Sequence, residues 1–233
     1  MTPPHRGSGG AAQGRPPPTV DRRLLAANPL TAASTLLGAL LVRTGLGDQP
    51  ETIVGRIVEV EAYGGQEDRA SHARMGPTAR NAPMFGPPGH AYVYLVYGMH
   101  TCLNVVAGPE ASASAVLIRA VEPLEGMAAM RHARALSRTP GQHVPDARVA
   151  AGPGLVGAAF GIGRDLNGVD LCRAGSTLRL ARDDIACSPF DVLQGPRIGI
   201  AYAGEPAVSL PWRLGIAGSP SLSKPFPRPG DIP

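Results

Sequence analysis

Residues 55–104 read GRIVEVEAYGGQEDRASHARMGPTARNAPMFGPPGHAYVYLVYGMHTCLN, and this stretch carries the most distinctive side chains of the sequence. The chain has only five tyrosines, and four of them fall here: Tyr63, Tyr92, Tyr94 and Tyr97. Two carboxylates one residue apart, Glu59 and Glu61, accompany them. Carboxylates beside stacking surfaces suit the cleavage of a glycosidic bond to a flat, aromatic leaving group. The stretch therefore indicates chemistry on a nucleobase.

The first part of the stretch is predicted to be a strand followed by a long loop. Alternation along residues 53–63 places Glu59, Glu61 and Tyr63 on one face and four apolar residues on the other: Val54, Val58, Val60 and Ala62. The loop over residues 64–88 is rich in glycine, proline, arginine and asparagine, and loops of this length are usually functional or disordered. Taken alone, a strand glutamate is more often a solvated surface residue than a catalytic one.

Residues 91–106 are predicted to form a β-hairpin. The runs AYVYLVY and HTCLNVV flank Gly98-Met99, a Gly-X pair suited to a type II′ turn. Tyr97 then lies directly before the turn, where a large ring is rarely buried. A bulky residue at a protruding tip has the shape needed to wedge between base pairs.

The same two-residue turn fixes which side chains of the hairpin share a face. It pairs Tyr94 with Leu103, so Asn104 is expected to face away from Tyr94. Tyr92 and Tyr94 share one face, and core packing is the competing interpretation for at least one of them.

Outside this stretch, helices and strands are interspersed. One helix is predicted from Pro29, with an apolar stripe of Leu36, Leu37, Leu40 and Leu41. Two more are predicted, from Glu122-Pro123 to about Arg138 and over residues 155–160. Further strands are predicted at residues 115–120, 177–181, 196–202 and 212–216. The absence of a regular βαβ alternation favours the α+β class.

Length and composition predict one globular domain with two loose ends. The chain has 233 residues, 43% of them hydrophobic, which is enough for a full core. Residues 1–20 and 225–233 are expected to be tails, and residues 21–224 to form the domain. No apolar run reaches 18 residues, so no membrane span is expected.

Charge and cysteine content narrow the function further. The net charge of +4 and a pI near 9.3 permit nucleic-acid binding without proving it. Cys102, Cys172 and Cys187 form no C-x-x-C pair, which favours reduced thiols in the cytosol over disulfides or a zinc ribbon. The single lysine, Lys224, lies near the C-terminal end, so no lysine in the body of the chain is available for Schiff-base chemistry.

Three further polar residues are candidates for a site. His72 suits stacking, hydrogen bonding or a surface position, and it lacks the H-x-E or H-E-x-x-H spacing of a metal ligand, so no metal site is expected. Asn104 and Arg119 lie on predicted strands, where they need partners if they are buried. Residues at strand edges with satisfied polar groups remain the alternative interpretation.

Together these residues resemble those of the alkyladenine (3-methyladenine) DNA glycosylases, which are monofunctional base-excision enzymes. The similar segments follow the family's order over roughly residues 22–224: GRIVEVEAYGGQEDRASHA, TARNAPMFGPPGHAYVYLVYGMHTCLNVV, AVLIRAVEPLEG, AGPG, NGVDL, RIGIAYAGEPA and GSPSLS. The combination of E-A-Y…H with Y-V-Y-x-x-Y-G-M…N is long and specific. The resemblance implies a single α+β domain with a mixed, mainly antiparallel curved sheet, a protruding β-hairpin and surrounding helices.

The resemblance also implies a role for each candidate. Glu61 matches the general base that activates water, and Arg119 matches the arginine that holds that water. Three residues match those that sandwich the flipped base: Tyr63, His72 and Tyr94. Asn104 matches a residue that rejects guanine, and two residues match the DNA-intercalating wedge: Tyr97 and Met99. Glu59 matches no catalytic role and is expected to be an ordinary strand glutamate.

The sequence departs from the family pattern in two places, and the resemblance also implies a binding partner. Leu155 replaces a lysine that is common in the family, and the loop over residues 75–78 is one residue shorter than in some relatives. The expected partner is double-stranded DNA with damaged purines, bound by a cytoplasmic, nucleoid-associated bacterial monomer without a cofactor. Two alternatives stay open: a catalytically silent lesion-binding module and a hydrolase of free nucleosides.

Overall fold

The structure, a computed structural model, describes residues 17–46, 49–96, 98–135, 144–183 and 191–227. The helices are α1 (Arg22–Leu25), α2 (Pro29–Leu36), α3 (Met127–Ala135) and α4 (Pro153–Ala159). The strands are β1 (Leu40–Leu46), β2 (Gln49–Tyr63), β3 (Ala91–Val96), β4 (His100–Ala107), β5 (Ser114–Glu125), β6 (Leu178–Ala181), β7 (Val192–Gly195) and β8 (Arg213–Ile216). Within these ranges no helix combines the length and apolar character needed to cross a bilayer.

The strands form one sheet in which β2 is the longest member. The order is β3-β4-β5-β2-β1-β6, and β8 pairs with both β2 and β7. One edge of β2 pairs with β5, while the other edge pairs first with β1 and then, over Glu59–Glu61, with β8. Every pairing among the described strands is antiparallel. The prediction of a single α+β domain with a mainly antiparallel sheet is confirmed.

The two faces of the sheet have different surroundings. On one face, inward-pointing residues of four strands join the main hydrophobic core: Val60, Ala62, Val93, Leu103, Val105, Val116 and Ile118. Helices α2 and α4 cover this face. Gly157 lets α4 lie close to β4, since an added Cβ would lie 2.2 Å from the carbonyl oxygen of Thr101. The opposite face is therefore left to the alternate residues, as the pattern in β2 predicted.

The register of the β3–β4 hairpin differs by one residue from the prediction. Val96 pairs with His100 and Tyr94 pairs with Cys102, so the connection is longer than a two-residue turn. Tyr92 then lies opposite Asn104. Because a one-residue slip moves a side chain to the other face, Asn104 shares the face of Tyr92 and Tyr94. The expectation that Asn104 faces away from Tyr94 was wrong.

Two predicted helices have different bounds. The helix capped by Asn28 begins at Pro29 as predicted but ends at Leu36, and Leu40 and Leu41 belong to β1. The segment from Glu122 is not helical, because it extends β5 to Glu125, where Gly126 (φ 75°) turns the chain into α3. The predicted helix end near Arg138 lies outside the described residues.

The strand predicted at residues 196–202 is not formed. Pro196 and Gly199, whose φ is 78°, interrupt the run, and a 3₁₀ turn follows at Ala201–Ala203. Instead of joining a ladder, the backbone N–H of Ile198 donates a hydrogen bond to the carboxylate of Glu61. The irregular segment therefore brings backbone groups to the open face of the sheet.

Parts of both predicted tails pack against the sheet. Thr19 forms a bridge with Ala181, and Val20 is buried. At the other end, the carbonyl of Pro225 accepts a hydrogen bond from Arg213, whose guanidinium lies 3.8 Å from the centre of the Phe226 ring. The expectation of loose segments therefore does not hold for residues 18–20 or 225–226. Residues 1–16 and 228–233 lie outside the described residues.

Candidate active site

A row of paired residues runs across the open face of the sheet. Asn104 on β4 pairs with Leu117 on β5, and Leu117 pairs with Glu61 on β2. Because directly paired residues of antiparallel strands point to the same side, these three side chains share one face. Tyr92 extends the row on β3. Four strands thus bring together candidates that lie far apart in the sequence.

Glu61 is a fully buried carboxylate with a partner on each oxygen. Its Oε1 accepts a hydrogen bond from the backbone N–H of Ile198 at 2.7 Å and lies 3.2 Å from Nη1 of Arg119. Its Oε2 accepts a hydrogen bond from the hydroxyl of Tyr63 at 2.8 Å. A buried carboxylate is tolerated where it is paired and hydrogen-bonded in this way.

Arg119 contacts both Glu61 and Glu59, the second buried carboxylate of β2. It is 6% exposed, and its Nε donates a hydrogen bond to Oε1 of Glu59 at 3.2 Å. Burial alone would lower the pKa of Arg119, but the negative charges of Glu61 and Glu59 outweigh burial and raise it. The guanidinium therefore stays a cation beside the carboxylate that it contacts.

Glu59 is not the ordinary strand glutamate that the sequence predicted. It is fully buried, and its carboxylate accepts hydrogen bonds from Arg119, Arg213 and Ser223. Ser223 is 164 residues away along the chain. That distance explains why spacing around residue 59 gave no sign of this environment.

A cavity of about 500 Å³ opens over this face of the sheet. All of the candidates for base binding line it: Tyr63, His72, Tyr94 and Asn104. Arg119 lines it as well, whereas Glu61 lies behind Tyr63 and Arg119. Arg80, Tyr202 and the backbone segment 198–200 complete much of the remaining wall, and sequence reasoning missed them.

His72 and two tyrosines form an aromatic wall. The ring centres of His72 and Tyr94 are 4.5 Å apart in an edge arrangement, and those of Tyr92 and Tyr94 are 5.4 Å apart. Nδ1 of His72 lies 3.0 Å from the hydroxyl of Tyr92, a hydrogen bond that fixes the ring. Tyr92 is 1% exposed, so the core interpretation holds for that residue.

The charge state of His72 follows from its surroundings. Burial, and then the positive charges of Arg80 and Arg74, lower the pKa of His72 below its ordinary value of 6.5. The imidazole is therefore neutral at pH 7. Burial likewise raises the pKa of Tyr94 and, together with the charge of Glu61, that of Tyr63, so both rings carry a protonated hydroxyl.

The loop that carries His72 is fixed by buried polar contacts. Asp68 accepts hydrogen bonds from both terminal nitrogens of Arg197, at 2.5 and 3.0 Å, and from the backbone N–H groups of Gly64 and Ala70. Asn81 donates to the carbonyl oxygen of His72. The guanidinium of Arg197 also lies 4.8 Å from the centre of the Tyr63 ring. These contacts order the loop, so the disordered interpretation of residues 64–88 does not hold for the part that carries His72.

The tip of the hairpin is exposed beside the cavity. Met99 is 77% exposed, and Leu95 and Val96, which precede the tip, line the cavity. Tyr97, predicted to be part of the wedge, lies outside the described residues. Leu155 lies in α4, and Pro153 of the same helix lines the cavity. Cys102 also lines the cavity and is buried, Cys172 is a free thiol, and Cys187 lies outside the described residues.

Comparisons with known proteins agree on one family. The sequence pattern of the family described as methylpurine-DNA glycosylase (MPG) matches residues 23–220. A protein of Nitrosospira multiformis named "Putative 3-methyladenine DNA glycosylase" is 42% identical over 212 residues, which cover 91% of this chain and 96% of its own.

Two further relatives carry the same name. The protein of Burkholderia lata is 47% identical over 174 residues, covering 75% of this chain and 79% of its own. The protein of Methanocella arvoryzae is 45% identical over 203 residues, covering 87% and 94%. With identities at this level over most of each sequence and the family pattern over residues 23–220, the chain belongs to the methylpurine-DNA glycosylase family.

Proposed function

We propose that this protein flips alkylated purines, 3-methyladenine among them, out of double-stranded DNA and hydrolyses their N-glycosidic bond with an activated water, leaving an abasic site. Family membership makes it a DNA glycosylase of the alkylpurine class. The observation that carries the finer proposal is a cavity lined by aromatic rings and by Arg119, which is ion-paired with the buried Glu61.

The spacing of the rings favours one position for the flipped base. His72 and Tyr94 have ring centres 4.5 Å apart, so a purine does not fit between them. They are therefore proposed to form one wall together, with Tyr63 stacking on the opposite face of the base. Stacking of this kind contributes about 1–3 kcal/mol per base.

Glu61 is proposed to be the general base, through one particular oxygen. Oε1 already contacts the N–H of Ile198 and the guanidinium of Arg119, whereas Oε2 has the hydroxyl of Tyr63 as its hydrogen-bond donor among the described residues. A carboxylate oxygen accepts about two hydrogen bonds. We therefore expect the water to donate its proton to Oε2, while Arg119 holds the water oxygen.

Asn104 is proposed to discriminate against guanine. Its Nδ2 donates a hydrogen bond to the carbonyl oxygen of Tyr92 at 3.1 Å, which fixes the orientation of the amide. A second N–H of the same nitrogen is then available on the cavity side. It would oppose the exocyclic amine of guanine, and two donors cannot bond to each other.

A neutral His72 does not repel a positively charged base, so the binding of such a base is expected to depend on pH. Because the pKa of His72 is lowered from 6.5, the ring stays neutral at pH 7 and becomes a cation only at more acidic pH, where it would repel the cationic ring of 3-methyladenine. We expect the binding preference for a 3-methyladenine duplex over an undamaged duplex to fall by roughly fivefold as the pH drops through the pKa of His72.

Fluorescence anisotropy on the Glu61→Gln protein, which is expected to bind without cutting, measures this preference from pH 8 to pH 5. His72→Gln should abolish the fall in binding preference at acidic pH. His132→Gln, at an exposed histidine of α3, should leave that fall unchanged. An unchanged pH profile in His72→Gln would contradict the assignment of His72.

Tyr97 and Met99 are proposed to fill the gap that the flipped base leaves in the duplex. Tyr97→Ser should weaken binding to a lesion duplex by roughly tenfold to a hundredfold, since it removes the group that compensates for unstacking. Binding to a single strand with the same lesion should change little, because nothing there needs unstacking. Parallel titrations of the two DNA forms provide the measurement.

The matched control for the wedge is Val192→Ser, which changes an exposed apolar residue of β7, 47% exposed, that does not line the cavity. It should leave both affinities unchanged. An equal loss of affinity for duplex and single strand in Tyr97→Ser would show that Tyr97 does not act as a wedge.

An excision assay distinguishes the proposal from its alternatives. Duplexes that carry 3-methyladenine, 7-methylguanine, hypoxanthine or ethenoadenine are incubated with the protein, and abasic sites are revealed with alkali. Release of 3-methyladenine supports the proposal, while binding without release favours a silent lesion-binding module. Release from free nucleosides at a comparable rate favours a nucleoside hydrolase, for which the exposed hairpin tip has no use.

The setting of the reaction belongs to the same proposal. The substrate is taken to be chromosomal DNA in the bacterial nucleoid, reached by a cytoplasmic monomer without a cofactor. Water rather than an amine is the nucleophile, because the single lysine, Lys224, is not among the residues that line the cavity.

A further inference from the structure

The carboxylate of Glu59 is the centre of a buried charge cluster behind the cavity. Its Oε1 accepts hydrogen bonds from Nε of Arg119 at 3.2 Å, from Nη1 of Arg213 at 3.1 Å and from the hydroxyl of Ser223 at 2.8 Å. Its Oε2 accepts one from the backbone N–H of Ser223 at 2.5 Å. Glu59 itself is fully buried and does not line the cavity, so it cannot touch a substrate there.

These contacts fix the guanidinium of Arg119 on three sides. Nε is held by Glu59, Nη1 lies against Oε1 of Glu61, and Nη2 donates a hydrogen bond to the hydroxyl of Ser223 at 3.3 Å. A guanidinium left alone with one carboxylate tends to pair with both of its oxygens. Arg119 instead contacts a single oxygen of Glu61 in this arrangement.

The second arginine, Arg213, anchors the chain segment that supplies Ser223. Its Nη1 and Nη2 donate hydrogen bonds to the carbonyl oxygens of Lys224 and Pro225, and Phe226 packs against its guanidinium. Residues 223–226 therefore form a strap across the back of the cluster. The strap gives Glu59 two hydrogen bonds from Ser223, in addition to those from the two arginines.

We propose that Glu59 is a positioning residue for base excision, held by the 223–226 strap. By binding Nε of Arg119, it keeps that guanidinium on Oε1 of Glu61, so that Oε2, which accepts one hydrogen bond from Tyr63, can accept a second from the water. The inference rests on the proposed roles of Glu61 and Arg119. Without Glu59, Arg119 would swing to a two-oxygen pairing with Glu61 and exclude the water.

The test compares Glu59→Gln in two backgrounds under single-turnover conditions. In the otherwise unchanged protein, the substitution should lower the excision rate by about a hundredfold, the cost of a small misplacement at a reacting group, and change the affinity for a lesion duplex less than threefold. In the Glu61→Gln background, the same substitution should lower the residual rate less than threefold, because its effect passes through Glu61. Glu122→Gln, on the partly exposed part of β5, is the matched control and should leave the rate unchanged.

A purely structural role for Glu59 predicts that Glu59→Gln lowers the excision rate by the same factor in both backgrounds. That result would overturn the inference. If Glu59→Gln does not fold, Ser223→Ala takes its place in the experiment. Ser223→Ala should lower the excision rate by roughly fivefold in the otherwise unchanged protein and should not lower it in the Glu61→Gln background. A large loss for Glu61→Gln without any loss for Glu59→Gln or Ser223→Ala overturns the positioning role alone. No loss of excision rate for Glu61→Gln overturns the role of Glu61 on which the inference rests, whereas no excision by the unchanged protein overturns the proposed function itself.

Discussion

Replacing Glu61 by glutamine should slow excision of an alkylated purine by roughly a thousandfold, within the range of about 10²–10⁴ contributed by a general base. Glutamine keeps the size of the side chain and an acceptor for the hydroxyl of Tyr63, so the stacking rings stay in place. The affinity for a lesion duplex should therefore change by less than about threefold. Single-turnover release of labelled base measures the rate, and anisotropy measures the affinity.

Glu67→Gln is the matched control for this experiment. Glu67 lies in the loop after β2 and is exposed, so removing its charge should leave both the rate and the affinity unchanged. If Glu61→Gln keeps its rate within tenfold of the original, a difference of about 1.4 kcal/mol in barrier, Glu61 is not the base.

Replacing Asp68 by alanine should lower the free energy of unfolding by about 3–5 kcal/mol. The change removes the carboxylate that faces both terminal nitrogens of Arg197 and leaves a guanidinium buried without its counter-charge. The backbone N–H groups of Gly64 and Ala70 lose their acceptor as well. The loop that carries His72 would then lose its main anchor.

Urea unfolding followed by circular dichroism measures this loss as a lower midpoint with an unchanged slope. Glu67→Ala, at the exposed neighbour, should change stability by less than about 0.5 kcal/mol. A loss below about 1 kcal/mol for Asp68→Ala would mean that Arg197 finds other partners, such as the carbonyl oxygens of Ala62 and Ala207 that it already contacts.

Alternation within strands was the part of the structure that the sequence predicted best. The face shared by Glu61 and Tyr63 in β2 follows from the two-residue period, and so does the burial of Val60 and Ala62 on the other side. The hairpin was predicted from its glycine-containing turn. Its register was not, because a change of one residue in the length of the connection reverses the face of Asn104.

Helix bounds and long-range contacts were predicted less well. The leucine spacing after Pro29 fits a helix as far as Leu41, but Gly38, with φ 84°, turns the chain into β1 before that point. The pairing of Asp68 with Arg197 joins residues 129 positions apart, and no local pattern indicates it. The roles of Glu61, Arg119 and the stacking residues came from the family resemblance and stay predictions. Arg119 and the stacking residues line one cavity, whereas Glu61 is buried behind it.

The strap at residues 223–226 sets an order of events during protein synthesis. Ser223 is made 164 residues after Glu59, and at about 5–20 residues per second this delay is roughly 8–33 seconds. By the end of that interval the chain contains Glu61 and the residues proposed to stack on the base, yet Glu59 lacks both hydrogen bonds from Ser223 until Ser223 is made. If Glu59 has the positioning role proposed above, a chain that stops short of Ser223 should excise a damaged base more slowly than the complete chain does.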